Sequence, residues 1–306
     1  MMSLSDWPLT IDAELEAEKI ERHIRELLDV NSAEGVCIGL SGGIDSALVA
    51  TLAVRAIGRE RVCGYYLFDR DSSKESRAKA NLMADWLGVE LKQHDITPEM
   101  RKMGIYSPLV MKLTGVCAFV NRRLNSRLNN LLYSESFFMS TLRRGGFNGS
   151  KIRRFLYNCT VGSVEAAFNA RHIYRRRFLE QEAKAKNRLV LGAANKSESM
   201  VGWFVKGGID DMPFSPIIGL YKTQVRQLAE YLNLPDEIRN QVPSPDMMKG
   251  LTDESAMGIT YDRLDIILDC IDRGMSDEEI AARGVREKDV RLVRTMNSLS
   301  QWKREP

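Results

Sequence analysis

The stretch that decides the fold is GVCIGLSGGIDS, residues 35–46. It begins with a short apolar run, Gly35 to Leu40, of the kind that forms a strand buried on both faces. A glycine-rich turn follows, and residues 47–57 then have the apolar spacing of a helix that ends at Gly58. A strand, a glycine turn and a helix in this order predict an open α/β sheet with an anion site at the turn.

The alternation of strands and helices continues on both sides of this stretch. Further strands are predicted at 62–68, 89–94 and 188–192, and further helices at 11–30, 74–87, 166–186 and 220–232. The tail, 260–304, has the pattern of two or three short helices. Strands that alternate with helices pair in parallel through right-handed crossovers. We therefore expect an α/β fold whose open parallel sheet has about five strands flanked by helices.

One segment interrupts the alternation and carries an unusual charge. Residues 101–178 contain fifteen Lys and Arg but only two acids, whereas the whole chain of 306 residues has a net charge of +3. Such a patch attracts phosphates, nucleotides, RNA or an acidic partner. We expect one domain over residues 1–306, with a basic insertion at about 101–165 and a helical C-terminal part at about 255–306.

The composition excludes several classes of protein. A chain that is 44% hydrophobic and 28% charged is an ordinary globular protein. No apolar run approaches the ~20 residues that span a bilayer, and the acidic N-terminus lacks the apolar core of a signal peptide. The five cysteines form no CxxC pair, which argues against a disulfide framework or a zinc site. We therefore expect a cytoplasmic protein with no membrane association.

The turn at residues 41–46 has the groups that a phosphate site needs. Backbone N–H groups and the helix dipole attract an anion, the glycines permit close approach, and Ser41 and Ser46 add hydroxyl donors. The carboxylate of Asp45 suits Mg²⁺, which prefers oxygen ligands. Neither a Walker A motif nor a dinucleotide fingerprint is present. A glycine turn with a serine cap is the plain alternative.

The sequence SGGxDS after a buried strand resembles the pyrophosphate loop of the ATP pyrophosphatases, whose fold is adenine-nucleotide α-hydrolase-like. Later motifs narrow the resemblance to the NAD synthetase family, over about residues 10–100 and 166–306. These motifs are DSS at 71–73, LGAANKSE at 191–198, GWFVK at 202–206, LYKTQVRQL at 220–228, LPDEI at 234–238, PSPD at 243–246, TDE at 252–254 and GITYDRLD at 258–265.

The resemblance implies a two-step reaction. The nicotinate carboxylate of deamido-NAD attacks the α-phosphorus of ATP, and pyrophosphate leaves. Ammonia then attacks the resulting acyl adenylate, which gives NAD and AMP. The resemblance further implies that Mg²⁺ accompanies ATP, that the protein is a homodimer, and that free ammonia or a separate glutaminase supplies nitrogen.

The resemblance also assigns roles to individual residues. It implies that Asp45 and Lys222 are catalytic and that Asp45 and Glu198 bind Mg²⁺. The residues implied in substrate binding are Arg175, Lys206, Asp210 and Lys303. Those implied in ATP binding are Gly39, Leu40, Ser41, Gly42, Gly43, Ile44, Asp45, Ser46, Lys222 and Ser244. Plain alternatives are that Glu198 is a first-turn acid favoured by the helix dipole and that Lys222 is a solvated helix lysine.

Three positions depart from the family pattern where the acceptor is expected. Ala193 stands in place of a threonine, Ile209 in place of one acid and Pro213 in place of another. Losing one polar partner in a buried site costs ~1–3 kcal/mol, which is enough to change a substrate. Asp210 and Asp211 are neighbouring acids that could substitute with a shifted backbone.

These departures leave other functions open. The protein could be a divergent amide ligase of the same fold that adenylylates another carboxylate. It could also be a tRNA-modifying protein whose basic segment is the RNA footprint. Nucleic acid is less favoured, because the motifs outside the loop are of the amide-synthetase type. The basic segment could instead serve in dimerisation or protein contact.

Overall fold

The computed structural model describes residues 7, 9–108, 111–112, 137–143, 151–159, 161–244 and 252–305. Its strands are β1 (Gly35–Gly39), β2 (Val62–Phe68), β3 (Glu90–Asp95) and β4 (Arg188–Leu191). The helices before β4 are α1 (Ala13–Asn31), α2 (Ile44–Ile57), α3 (Lys74–Leu87), α4 (Thr97–Lys102), α5 (Phe137–Leu142), α6 (Lys151–Cys159) and α7 (Val161–Ala185). Those after β4 are α8 (Lys196–Val201), α9 (Lys222–Tyr231), α10 (Asp236–Arg239), α11 (Asp253–Met257), α12 (Tyr261–Asp272), α13 (Asp277–Ala281), α14 (Glu287–Leu299) and α15 (Gln301–Arg304).

The strands form one parallel sheet in the order β3-β2-β1-β4. In the register of the central strand, Cys37 lies between Cys63 and Val190. The chain runs outward from β1 to β3 and returns through α7 to β4 on the other side of β1. The loops after β1 and β4 therefore diverge, and a crevice forms at their carboxyl ends. The predicted parallel α/β fold is confirmed, although the described residues contain four strands rather than about five.

Both faces of the sheet are covered, which explains why β1 is apolar throughout. Val36 and Ile38 pack into a core formed with α1, α2 and α9. Cys37, on the opposite face, packs with residues of β2 and α7. The alternation of side chains along β1 thus divides the sheet contacts between two separate cores.

Helix bounds follow local signals that are visible in the sequence. The side chain of Asp12 accepts a hydrogen bond from the N–H of Leu15 at 3.1 Å, which caps the start of α1. Ser73 caps α3 in the same way, with its Oγ 3.0 Å from the N of Ser76. Gly88 ends α3 with a φ of 65°, a conformation that favours glycine. The predicted bounds of 74–87 for this helix are confirmed.

The C-terminal helices form a third core, to which α5 adds Phe138 and Leu142. The tail after residue 260 has four helices rather than two or three: turns at Gly274 and Gly284, both with positive φ, separate α12, α13 and α14, and a break at Ser300 separates α14 from α15. None of the described helices has the length and apolar character needed to cross a bilayer. The proposed division into a domain, an insertion and a C-terminal part stays a prediction.

Candidate active site

The glycine-rich turn lies between the end of β1 and the start of α2. The hydroxyl oxygens of Ser41 and Ser46 are 3.1 Å apart, and the Ser46 hydroxyl donates to the carbonyl of Gly43 at 3.0 Å. Gly42 has a φ of 82°, and a Cβ at this position would lie 2.5 Å from the carbonyl oxygen of Ser76. No side chain caps α2 at Gly43, so the start of the helix suits an anion.

The side chains of Gln241 and Lys79 support this turn through hydrogen bonds. The Gln241 side chain donates to the carbonyl of Gly42 at 2.9 Å, and the ammonium of Lys79 donates to Gln241 Oε1 at 2.8 Å. Gln241, Pro243 and Ser244 line the same cleft as the turn. The structure therefore brings the predicted ATP-binding residue Ser244 to the cleft that contains residues 39–46.

A buried cluster of charges lies at the mouth of the turn. The ammonium of Lys222 contacts Asp45 Oδ2 and lies 3.1 Å from Glu198 Oε1. The Lys222 side chain is 2% exposed, whereas Asp45 and Glu198 are 17% and 16% exposed. Helices α2, α8 and α9 each contribute one of these residues near their first turn. The alternative interpretation of Lys222 as a solvated helix lysine is therefore wrong.

Three further side chains support the cluster. Asn195 donates to Asp45 Oδ1 at 3.0 Å and accepts from the N–H of Glu198 at 3.0 Å. The hydroxyl of Tyr261 lies 3.1 Å from Glu198 Oε1 and 3.1 Å from Asp253 Oδ2. These residues lie in motifs that indicate the family, but no role was predicted for them. Asn195 and Asp253 could have been identified from their positions at the starts of α8 and α11.

The surroundings of the cluster keep the Lys222 ammonium charged and allow the Glu198 carboxyl group to exchange a proton near neutral pH. Burial, together with the charges of Asp45 and Asp253, raises the pKa of Glu198 to about 8. Burial alone would lower the pKa of Lys222, but the carboxylates of Asp45 and Glu198 outweigh it and raise that pKa. The Lys222 ammonium therefore stays charged, and a bound cation would displace the proton of the Glu198 carboxyl group.

The predicted acceptor-binding residues lie on two sides of the same cleft. Asp210 lines it and pairs with His172, whose Nδ1 is 2.6 Å from Asp210 Oδ2. Arg175 also lines it, and its Nη2 is 3.6 Å from Asp69 Oδ2. The carboxylate of Asp211 instead accepts the N–H of Gly207 at 2.7 Å. Of the two neighbouring acids, Asp210 is the one that faces the cleft.

The two predicted substrate lysines both contact backbone carbonyl groups. Lys206 Nζ lies 3.2 Å from the carbonyl oxygen of Trp302, and Lys303 Nζ lies 2.8 Å and 2.6 Å from those of Gly202 and Phe204. Burial lowers the pKa of Lys303 to about 8. These contacts fasten α15 to the loop after α8 at the edge of the cleft.

Two of the three substituted family positions also lie at the cleft, whereas Pro213 does not line it. Ala193 and Ile209 line it, and a Cβ added to Gly39 would lie 2.9 Å from Ile209 Cδ1. An apolar side chain therefore packs against the start of the phosphate-binding turn. Within the described residues, no group of three or more His, Cys, Asp or Glu side chains could hold a metal ion.

A buried arginine on α7 forms ion pairs with two aspartates that follow β2. Arg171 is fully buried, and its Nη1 lies 3.2 Å from both Asp69 Oδ2 and Asp71 Oδ2. Burial would raise the pKa of Asp69, but Arg175 and Arg171 outweigh it and hold the pKa below its usual value. Arg171 is not among the residues predicted for the site, because its contacts with Asp69 and Asp71 join positions 102 and 100 residues apart.

The fold and site define a class of protein: an α/β protein whose Ser-Gly-Gly turn, at the start of a helix, lies beside a lysine and two carboxylates. A family model described as NAD synthase matches residues 16–139 and 156–306. The chain belongs to this family, and the predicted class, an ATP-dependent ligase, is confirmed. The predicted extent of the resemblance, about residues 10–100 and 166–306, was too narrow. Between residues 16 and 306, the family model omits only residues 140–155.

Individual relatives agree with the family. The chain is 35% identical over 268 residues to the NH₃-dependent NAD⁺ synthetase of Coprothermobacter proteolyticus, covering 87% of each chain. It is 36% identical over 264 residues to the enzyme of the same name from Thermotoga maritima, covering 86% of this chain and 89% of the relative. Among solved structures, NMN synthetase from Francisella tularensis has a TM-score of 0.70 at 23% identity, covering 97% of this chain and 98% of that one. NH₃-dependent NAD synthetase from Campylobacter jejuni has a TM-score of 0.65 at 22% identity with the same coverage. The two structures show a shared fold.

Proposed function

We propose that this protein joins ammonia to the nicotinate carboxylate of deamido-NAD at the expense of ATP, which yields NAD, AMP and pyrophosphate. The observation that carries this proposal is the contact of the Lys222 ammonium with Asp45 and Glu198 beside the Ser-Gly-Gly turn. The names of the similar relatives support the acceptor and the nitrogen source.

In the first step, a carboxylate oxygen of the acceptor attacks the α-phosphorus of ATP, and the bond to pyrophosphate breaks. The turn at 41–46 holds the leaving pyrophosphate through backbone N–H groups at the start of α2. Lys222 supplies the positive charge that this leaving group needs. Its charged state across the physiological range, set by Asp45 and Glu198, suits that role.

The same carboxylates fit Mg²⁺ when ATP is bound. Mg²⁺ is usually held by one or two protein carboxylates together with substrate phosphates, not by a complete protein cage. Asp45 and Glu198 offer such a pair, since both contact a single ammonium group. The metal would neutralise phosphate charge, and Asp45 and Glu198 would be its protein ligands.

In the second step, ammonia attacks the carbonyl carbon of the acyl adenylate, and AMP leaves with one former carboxylate oxygen. Arg175 is the best-supported acceptor-binding residue. Its side chain is 11% exposed, it lines the cleft, and its Nε has no partner among the described residues. A buried guanidinium with unused donors suits an anionic substrate group.

The partners follow from the same chemistry. Free ammonia is the proposed nitrogen source, and a separate glutaminase would be an alternative supply. We also propose a homodimer, as the family resemblance implies, and a location in the cytoplasm, as the cysteine pattern indicates; light scattering of the purified protein tests the dimer.

The experiment that tests the function labels the nicotinate carboxylate of deamido-NAD with ¹⁸O. The proposal requires one ¹⁸O atom to move into AMP for each NAD formed, with Mg²⁺, ATP and ammonium present. Nicotinate mononucleotide, which has the same carboxylate without the adenylate half, serves as the comparison acceptor. Efficient turnover of the mononucleotide alone would support a ligase for another carboxylate, which the substitutions at Ala193 and Ile209 leave as the second candidate.

A further inference from the structure

A buried carboxylate outside the cleft connects two of the helices that build the charged cluster. Asp265, on α12, is fully buried. Its Oδ1 accepts a hydrogen bond from the Ser197 hydroxyl at 2.5 Å, and its Oδ2 accepts from the N–H of Thr223 at 2.8 Å. The Ser197 hydroxyl oxygen in turn accepts the N–H of Lys222 at 2.8 Å. One carboxylate therefore joins the first turns of α8 and α9.

The residues that Asp265 contacts are sequence neighbours of Glu198 and Lys222. Ser197 precedes Glu198, and Thr223 follows Lys222. The hydrogen bonds of Asp265 thus hold the side-chain hydroxyl of the residue before Glu198 and the backbone N–H of the residue after Lys222, and the side chains of Glu198 and Lys222 meet at 3.1 Å. Because α8 and α9 carry these side chains from separate parts of the chain, some contact must set their relative position.

Packing alone does not require a carboxylate at this position. Burial raises the pKa of Asp265 to about 6, so the charged form is held at a cost. An apolar side chain of similar size would fill the space without that cost. The residue is absent from the cleft lining, and it does not contact Asp45, Glu198 or the Lys222 ammonium.

We propose that Asp265 is a positioning residue for the ATP site: it aligns Glu198 on α8 with Lys222 on α9 so that both meet the phosphates and the metal beside Asp45. This inference rests on the proposed role of the cluster in ATP binding, but not on the identity of the acceptor. Groups that orient metal-binding or catalytic side chains typically change metal affinity or activity about 10–100-fold when they are replaced.

The test replaces Asp265 by Asn and uses Asp289→Asn as its matched control. Asp289 is also a buried carboxylate of the C-terminal helices, and its Oδ2 lies 2.8 Å from Arg286 Nε. It has no contact with α8 or α9 among those described. Both variants are assayed well below their melting temperatures, with the folded fraction checked by circular dichroism.

The first readout is the affinity for α,β-methylene-ATP with Mg²⁺, measured by calorimetry without any acceptor. We expect Asp265→Asn to weaken this binding about tenfold, whereas Asp289→Asn binds as the wild type does. The second readout is the kinetic split. For Asp265→Asn, kcat/KM for ATP falls about 10–100-fold while KM for deamido-NAD stays within about twofold.

Unchanged affinity in the folded Asp265→Asn variant would overturn the inference, as would an equal loss in Asp289→Asn. If Asp265→Asn does not fold, Ser197→Ala keeps the contact of Asp265 with the Thr223 N–H but removes the hydroxyl that joins Asp265 to the Lys222 N–H, and the same readouts apply to it. Because the calorimetric readout needs no acceptor, it decides the role of Asp265 even if wild-type protein makes no NAD. Absence of NAD formation would count against the proposed function alone.

Discussion

Replacing Lys222 by Met tests the charged cluster most severely. Methionine keeps most of the length of the lysine stem but removes the ammonium, so Asp45 and Glu198 lose their shared counter-charge. Asp253, which lies near them through Tyr261, adds to the excess of negative charge. We expect both a less stable protein and a loss of turnover.

The magnitude follows from the burial of the lysine. An exposed ion pair contributes about 0–1 kcal/mol to stability, whereas removing one partner of a buried pair costs about 3–5 kcal/mol. Lys222 is 2% exposed, so the second range applies at pH 8. The loss should shrink towards pH 6, because the Glu198 carboxyl group, whose pKa is raised to about 8, then takes up a proton. For kcat we expect a fall of at least about 100-fold.

The assay is urea unfolding of Lys222→Met and wild type at pH 8 and pH 6, with a chelator present. Lys19→Met is the control, since Lys19 is 54% exposed and pairs with Glu16 at 3.3 Å on the surface of α1. Its cost should stay below about 1 kcal/mol. Added Mg²⁺ should restore part of the stability of Lys222→Met but not that of the control. A loss below about 1 kcal/mol for Lys222→Met at pH 8 would refute the reasoning.

Three further predictions concern neighbouring groups. Gly42→Ala should lower ATP affinity at least about tenfold by equilibrium dialysis, because the new Cβ would lie 2.5 Å from the Ser76 carbonyl oxygen; unchanged affinity would contradict the tight turn. Binding of ATP with Mg²⁺ should tighten from pH 6 to pH 8, as the carboxyl group of Glu198 loses its proton at a pKa of about 8. Calorimetry in two buffers should detect proton release near pH 7, and none would count against this pKa. Tyr261→Phe should lower stability by about 1–3 kcal/mol by thermal unfolding, since Glu198 and Asp253 lose a buried donor; no change would show that water replaces the hydroxyl.

Local sequence signals predict much of the fold. The bounds of β2 and α3 match their predictions because apolar runs, the Ser73 cap and Gly88 each act over a few residues. The C-terminal helices were undercounted because the break between α14 and α15 lies at Ser300, where neither glycine nor proline marks it. Local patterns therefore indicate where an element lies more reliably than how often it is broken.

The site was predicted less completely, since its contacts join distant parts of the chain. Family motifs named Asp45, Glu198 and Lys222 individually. They did not show that one ammonium lies between the two carboxylates, 177 and 24 positions away in sequence. The same holds for Tyr261, which reaches Glu198 across 63 positions. Spacing along a chain identifies candidate groups, whereas the fold decides which of them meet.

The basic segment shows another limit. The predicted insertion at about 101–165 falls only in part on the described residues, which include α5 and α6. Phe138 of α5 packs edge-on against Trp203, with ring centroids 4.8 Å apart, and lines the cleft. This part of the segment therefore contributes to the site, which its charge alone did not predict.

The most direct test of the central claim is a mass-resolved stoichiometry of the reaction with ¹⁸O-labelled deamido-NAD, ATP, Mg²⁺ and ammonium. The account predicts equal amounts of NAD, AMP and pyrophosphate, with one ¹⁸O atom in each AMP. Release of ADP and phosphate, AMP without the label, or no NAD from deamido-NAD would contradict it.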